Sequence, residues 1–206
     1  MKGQVLFLII LIFSPSLIAI DQMEYARTQE EIVIIETDFG NIEFALFSEK
    51  APENVANIIK LVQDGFYNGT TFHRVIPNFV IQGGDPNSKD DDPSNDGYGG
   101  PGYYTKDEIS PDLKHLVGTV SLAKANPDQN GSQFYICLKK LGRLDGKYTI
   151  VGQVLEGMET VFKVAEVKTD KNDRPLKDVV MKKVYMKEKE EKAEEKKENI
   201  EKENIE

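Results

Sequence analysis

The chain has 206 residues and a formal net charge of -9, from 35 acidic and 26 basic side chains. This length suits one domain with terminal extensions, or at most two small domains. The acidic balance argues against nucleic acid, and against an anionic membrane surface, as the main partner, because both are bound through basic faces. A single cysteine, Cys137, excludes an intramolecular disulfide and a cysteine-based zinc site.

Residues 1–20 have the pattern of a secretory signal peptide. Lys2 precedes the apolar run Val5–Phe13, and Ala19 is a small residue near the end of the segment. An uncleaved anchor is the alternative, although the 16 residues from Val5 to Ile20 include a proline and are short for a span of about 20. We therefore predict an exported protein, extracellular or in the cell envelope, with an N-terminal membrane tether as the second interpretation.

Three further segments follow. Residues 21–30 are predicted to be a linker, and residues 31–186 to be the folded domain. Residues 187–206 contain six lysines, nine glutamates and three apolar side chains. Such a segment cannot bury a core, so we predict a solvated tail that is disordered or a frayed helix. A partner-binding tail is the alternative.

The folded domain begins with a predicted β-hairpin. Residues 32–37 and 42–47 are rich in β-branched and aromatic side chains, and residues 38–41 supply the turn. A helix is predicted to start at Pro52, because proline suits the first turn of a helix. Its apolar stripe has helical spacing and consists of Val55, Ile58, Ile59 and Val62.

The remaining elements are mostly short strands. A second helix is predicted over residues 158–165, and residues 87–102 are predicted to be an exposed polar loop. Six more strands are predicted, at residues 71–75, 79–82, 119–123, 133–138, 149–154 and 179–185. Many short strands with only two helices favour a closed antiparallel barrel or a sandwich, and the helices would cover the open ends of a barrel.

The run Phe72–Asp85 contains the first candidate for chemistry. If it forms a strand, a turn and a strand, then Phe72, Arg74 and Ile76 share one face, which places Arg74 among apolar neighbours. A guanidinium offers five donors in a planar fork and keeps its charge, so it suits binding a carbonyl or polarising an amide in an apolar cleft. A structural ion pair or an arginine at a strand end is the alternative.

Two further runs, Asn130–Cys137 and Leu144–Gly152, are less informative alone. In the first, Gln133 carries a donor and an acceptor, and Tyr135 has an amphipathic ring. A strand with one solvated face is the simpler interpretation of that run. The second is typical of a turn followed by a strand.

Together these runs resemble the cyclophilin family of peptidyl-prolyl isomerases. The resemblance rests on FHRVIPNFVIQGGDP, GSQFYIC and LDGKYTIVGQV, in that order, and extends over about Ile32–Tyr185. It implies a mainly β fold, a closed eight-stranded antiparallel barrel capped by two α-helices. It also implies cis/trans isomerisation of X–Pro bonds in proline-containing peptides. Together with the predicted export, it makes unfolded exported proteins the expected partners, whose folding the protein would assist. No bond breaks in that reaction, so we predict no metal and no cofactor, and we expect a monomer.

Matched position by position, the resemblance implies catalytic roles for Arg74, Phe79 and Gln82. It implies substrate-binding roles for ten further residues: Ile76, Val80, Gly97, Ala123, Lys124, Ala125, Gln133, Tyr135, Leu144 and Tyr148. By the same resemblance, residues 123–125 occupy the stretch whose backbone is expected to bind substrate.

Several positions depart from the family pattern. Arg143 stands where tryptophan is frequent, Tyr148 where histidine is frequent and Lys124 where asparagine is usual, and the stretch Lys89–Pro93 enlarges a glycine-rich loop. These departures bear on inhibitor sensitivity and on substrate preference.

Three other functions are weaker. A nucleophilic hydrolase is disfavoured because Ser132 does not lie in a nucleophile elbow. We predict packing for His73 and a surface or packing position for His115. Calcium binding is disfavoured because the clustered carboxylates do not fit the EF-hand spacing; they are Asp85, Asp90, Asp91, Asp92 and Asp96.

The serious alternative is a non-catalytic proline-recognising chaperone or binding module on the same barrel, because Arg143 and Val80 alter the pocket.

Overall fold

The computed structural model describes residues 22–188. Within this range, helix α1 covers residues 22–27, α2 covers Pro52–Gln63 and α3 covers Met158–Ala165. The strands are β1 (Ile32–Thr37), β2 (Gly40–Leu46), β3 (Arg74–Ile76), β4 (Val80–Gly83), β5 (Thr119–Leu122), β6 (Phe134–Cys137), β7 (Ile150–Glu156) and β8 (Lys183–Met186). Short 3-10 turns occur at Pro86–Lys89 and Gly142–Leu144.

The eight strands form one antiparallel sheet, in the order β3-β4-β6-β5-β7-β2-β1-β8. The two edges are joined by the segments that precede β3 and β8. Thr71 forms an isolated bridge with Val180, and the backbone N–H of Phe72 donates to the carbonyl of Val179. The sheet therefore curls into a barrel with a short seam, and the predicted mainly β, eight-stranded antiparallel architecture is confirmed.

The interior of the barrel is a packed apolar core. Phe134 of β6 contacts three other aromatic rings, with centroid distances of 5.8 Å to Tyr67, 6.3 Å to Phe72 and 6.3 Å to Phe44. A cavity lined by interior side chains has a volume of only about 10 Å³. This cavity is too small for a ligand, as expected of an eight-stranded barrel filled by its own side chains.

Helices α2 and α3 cover the barrel as predicted. The apolar stripe of α2 is buried in the core through Val55, Ile58, Leu61 and Val62. Helix α3 buries Val161 and Val164 in the same core. Helix α2 lies against β8, whereas α3 lies against β2, β3 and β4, so the two helices cover different parts of the barrel.

The prediction of a linker was wrong for residues 22–27, because α1 packs on the barrel as a third helix. The side-chain amide of Gln22 donates to Thr119 Oγ1 at 3.1 Å and to Gln153 Oε1 at 3.2 Å, and Ala26 is fully buried. Helix α1 is held on the barrel by hydrogen bonds from a buried glutamine, so its sequence lacks the apolar stripe from which a helix is usually predicted.

The predicted shared face of Phe72, Arg74 and Ile76 was also wrong. Strand β3 begins at Arg74, so the alternation does not extend back to Phe72. Phe72 is fully buried in the core, while Arg74 and Ile76 are partly exposed on the outer face.

The predicted signal or anchor and residues 189–206 of the predicted tail lie outside the described residues. Between residues 22 and 188, no helix is long and apolar enough to cross a membrane.

Candidate active site

A pocket of about 390 Å³ opens on the outer face of β3, β4 and β6. It is lined by twelve of the thirteen predicted site residues: Arg74, Phe79, Val80, Gln82, Gly97, Ala123, Lys124, Ala125, Gln133, Tyr135, Leu144 and Tyr148. Ile76 is the exception, and it lies in an adjoining groove that also contains Arg74 and Phe79. The three sequence runs meet because β3, β4, β6, β5 and β7, which include parts of all three, are consecutive in the sheet.

A line of polar side chains crosses one wall of the pocket. Arg74 pairs with Gln82 in the register of β3 and β4, and its Nη1 donates to Gln82 Oε1 at 3.4 Å. Gln82 Nε2 donates to Gln133 Oε1 at 3.1 Å, and Gln133 Nε2 donates to the carbonyl oxygens of Gly97 and Gly99, both at 2.9 Å. Each amide accepts on one side and donates on the other, so the line fixes the orientation of all three side chains.

Arg74 remains accessible despite these contacts. Its Nε lies 3.7 Å from Asp173 Oδ2, and the side chain is 42% exposed. An ion pair at this distance and exposure contributes little stability. The guanidinium therefore has donors that a ligand in the pocket would meet.

An apolar surface adjoins this line of polar side chains, since Gln82 pairs with Tyr135 in the register of β4 and β6. Tyr135 and Cys137 of β6 lie on the outer face of the sheet, where they form a second buried cluster with Val80 and Leu141. The side chains that pack against this cluster and line the pocket are Phe79, Ala123, Leu144 and Tyr148. The interpretation of β6 as a strand with one solvated face was wrong, because both of its faces are buried.

Hydrogen bonds hold Tyr135 in place beneath the pocket. Its hydroxyl lies 3.0 Å from His115 Nε2, and His115 Nδ1 lies 2.8 Å from Asp145 Oδ1. A carboxylate at Nδ1 keeps the ring proton there, so Nε2 accepts from Tyr135. His115 is fully buried. The packing interpretation of His115 is therefore confirmed, and the surface interpretation was wrong.

Asp85 anchors the glycine-rich loop at the rim of the pocket. The residue is fully buried, and its carboxylate accepts hydrogen bonds from the backbone N–H groups of Asn87, Gly97 and Gly99. Gly99 is required at its position, because a Cβ there would lie 2.1 Å from Asp85 Oδ1. Gly97 has φ +88°, a left-handed conformation that favours glycine.

Three other carboxylates of this loop, those of Asp90, Asp92 and Asp96, are also engaged in local structure. Asp90 and Asp92 accept from loop backbone N–H groups, and Asp96 Oδ2 pairs with Arg174 Nε at 3.0 Å. Among residues 22–188, no group of three or more potential metal ligands converges.

Lys124 forms contacts in the wall of the pocket that its position in the sequence did not predict. Its side chain is 8% exposed, and its ammonium pairs with Asp107. Burial tends to raise the pKa of Asp107, but hydrogen bonds from Lys124 and Asn130 outweigh it and lower that pKa. The Lys124 ammonium also lies 5.6 Å from the centre of the Tyr148 ring. The charge of Lys124 is thus paired within the wall of the pocket.

Comparison with known protein families identifies the family to which this chain belongs. The model of the family described as cyclophilin type peptidyl-prolyl cis-trans isomerase/CLD matches residues 32–186.

The chain belongs to the cyclophilin family.

Its relatives carry the same activity in their names. A human protein named peptidyl-prolyl cis-trans isomerase-like 1 is 44% identical over 151 residues, which cover 71% of this chain and 87% of the human protein. The protein of that name from Gibberella zeae is 42% identical over 151 residues, covering 71% of this chain and 89% of the relative. This cyclophilin is a peptidyl-prolyl cis-trans isomerase.

A solved structure agrees in fold. A cyclophilin-type isomerase of Cryptosporidium parvum, crystallised in the presence of the dipeptide Ala-Pro, superposes with a TM-score of 0.71 at 35% identity. The match covers 77% of this chain and 99% of the other.

Seven of the nineteen residues that line the pocket of this cyclophilin were not predicted. They are Tyr98, Gly99, Gly100, Tyr104, Gln129, Gly131 and Ser132. Tyr98 and Tyr104 are 86% and 63% exposed, which is unusual for large aromatic side chains. Two tyrosines close to a glycine-rich loop were the available signal, because aromatic residues are enriched where proteins bind ligands and partners.

We expect the stability of this cyclophilin to fall as the pH drops through the histidine range. Burial lowers the pKa of both His73 and His115 from the ordinary value of 6.5. The unfolded chain then binds protons that the folded chain does not, so the free energy of unfolding declines below about pH 6.5, by at most about 1.4 kcal/mol per pH unit for each histidine.

Urea denaturation at about pH 7.5 and about pH 5.5 tests this expectation. His73→Leu removes one of the two buried titrating groups, so the difference between the two pH values should be smaller in the variant than in the wild type. A difference of equal size in both proteins would show that His73 does not contribute.

Proposed function

We propose that the pocket binds an X–Pro segment and that Arg74 is the hydrogen-bond donor that accelerates its rotation. The observation that supports this most directly is the meeting of Arg74 with an apolar wall and a fixed line of amides in one pocket. A proline ring needs an apolar recess, and the rotating amide needs a directed donor.

Catalysis of this rotation requires only that the protein form stronger hydrogen bonds to the transition state than to the ground state. Rotation about a peptide bond faces a barrier of about 18–20 kcal/mol, because the planar amide is stabilised by resonance. An X–Pro bond crosses it unaided in tens to hundreds of seconds. In the rotated transition state resonance is lost, and the proline nitrogen becomes a better acceptor. A donor aimed at that nitrogen stabilises the transition state over the ground state.

The apolar wall would hold the ring while the amide turns. Phe79, Val80, Tyr135 and Leu144 supply the contact surface. The bracing of Tyr135 by His115 keeps that surface rigid, which favours one orientation of the ring. Gln82 and the backbone near Lys124 would bind the flanking amides, and both residues line the pocket.

We further propose that the substrates are exported proteins that have not finished folding. Support comes from the signal pattern in residues 1–20. Cys137 also suits an oxidising exterior: it is fully buried, and burial raises the pKa of its thiol to about 12. A buried thiol with so little thiolate resists disulfide exchange.

The location of the protein in its own cells tests the export proposal. We expect the full chain to be recovered outside the cytoplasm, with its N-terminus near Asp21, and a chain that lacks residues 1–20 to remain inside. A membrane-bound chain that keeps residues 1–20 and is digested by external protease would support export with a tether. A chain that starts at Met1 and fractionates with cytosolic markers would overturn export and leave the isomerase activity untouched.

A further inference from the structure

A second groove continues the pocket on the far side of Phe79. Its volume is about 660 Å³. Its lining consists of Arg74, Ile76, Asn78, Phe79, Lys139, Lys140, Leu141, Gly142 and Arg143. Arg74 and Phe79 line both spaces, so a peptide bound in the pocket would extend into the groove or pass its edge.

The groove is basic although the chain is acidic. Four of its nine lining residues are cations and none is an acid. Lys139, Lys140 and Arg143 are exposed. No carboxylate of residues 22–188 lies within 4 Å of these three side chains, whereas Arg74 has Asp173 at 3.7 Å. In a chain with 35 acidic and 26 basic residues, such a cluster of positive charge is a local exception.

Arg143 connects this charge to the proline pocket. Its guanidinium carbon lies 4.6 Å from the centre of the Phe79 ring, a distance typical of a cation–π contact. The residue sits in the 3-10 turn Gly142–Leu144, next to Leu144 of the apolar wall. Stacking on Phe79 restrains the guanidinium while leaving its N–H edge for an acceptor, which is how arginine binds carboxylates.

We propose that the groove of Lys139, Lys140 and Arg143 is a specificity subsite that selects substrates with acidic side chains close to the isomerised proline. The inference rests on the proposed function of the neighbouring pocket. Carboxylate side chains of the same polypeptide would meet the three cations while the proline ring occupies the pocket. The attraction is between exposed groups, so it should weaken as salt is added.

Three peptides of one length test the subsite on the full chain. One has neutral residues around Ala-Pro, one carries two glutamates shortly before the proline, and one carries them shortly after it. We expect the wild type to turn over one of the acidic peptides with a kcat/KM about tenfold above that of the neutral peptide. This preference should shrink between about 0.01 M and about 1 M salt.

Charge reversal then locates the effect. In the double variant Lys139→Glu and Lys140→Glu, the ratio of acidic to neutral kcat/KM should fall to about one or below. The matched control is Lys163→Glu with Lys177→Glu, which changes the net charge equally at exposed lysines outside the pocket and the groove. The control should keep most of the wild-type preference, because the groove is intact.

The outcomes separate the two proposals. Failure of the wild type to accelerate even the neutral peptide would count against the proposed function. Acceleration of all three peptides alike would overturn the subsite alone. An acidic preference that persists in the double variant, or that disappears equally in the control, would show that the groove is not its source.

Discussion

Replacing Arg74 with alanine is expected to lower kcat/KM for an X–Pro peptide by about 100- to 1,000-fold, the usual cost of removing one preorganised donor from a transition state. Arg74 is oriented by Gln82, and Gln82 by Gln133, so the donor is in place before the amide rotates. The apolar wall does not depend on Arg74. Peptide affinity should therefore change far less than turnover, and the loss should fall on kcat.

NMR exchange spectroscopy on a short Ala-Pro peptide measures both quantities. Wild type should broaden the cis and trans signals, and Arg74→Ala should bind the peptide with little acceleration. Arg74→Lys keeps the charge but loses the planar fork, so we expect intermediate turnover. The matched control is Arg27→Ala, an exposed arginine outside the pocket, which should match the wild type. Equal turnover in wild type and Arg74→Ala would refute the assigned role.

Replacing Asp85 with alanine is expected to cost about 3–5 kcal/mol of folding stability, because several donors lose a buried charged acceptor at once. The backbone N–H groups of Asn87, Gly97 and Gly99 all donate to this carboxylate. Gln133 donates to the carbonyls of Gly97 and Gly99, so release of the loop also frees one end of the line that orients Arg74. We expect kcat/KM to fall by about tenfold or more in the protein that remains folded.

Asp91 provides the matched control, since it is an exposed aspartate in the same loop. Asp91→Ala should change the free energy of unfolding by less than about 0.5 kcal/mol. Urea denaturation measures stability, and exchange spectroscopy well below the unfolding midpoint measures activity. Similar values for the two variants would mean that the loop does not depend on the Asp85 carboxylate.

Local patterns in the sequence were enough to predict most secondary structure. The helical spacing of Val55, Ile58 and Val62 predicted α2, and the turn at residues 38–41 predicted the first hairpin. Such signals succeed because the period of apolar residues follows directly from helix and strand geometry. They failed at α1, where Gln22 packs through hydrogen bonds, and at Phe72, where an irregular segment precedes the strand.

The predicted site residues came from the order and spacing of three motifs, and the structure places twelve of them in one pocket. The motifs did not indicate which other residues hold the site residues in position. His115 lies 20 residues before Tyr135, and Asp85 lies 48 residues before Gln133, so only folding brings each pair together. Long-range hydrogen bonds of this kind leave no periodic pattern in the sequence.

The sequence by itself determined the family, the strand-rich architecture and the identity of the residues most suited to the chemistry, because these depend on residue type, order and local period. The tertiary structure alone decided which face each residue occupies, that Lys124 is used within the pocket wall and that Arg143 stacks on Phe79 beside Lys139 and Lys140. Those features depend on distances between strands that are remote in the chain, and such distances exist only once the barrel has closed.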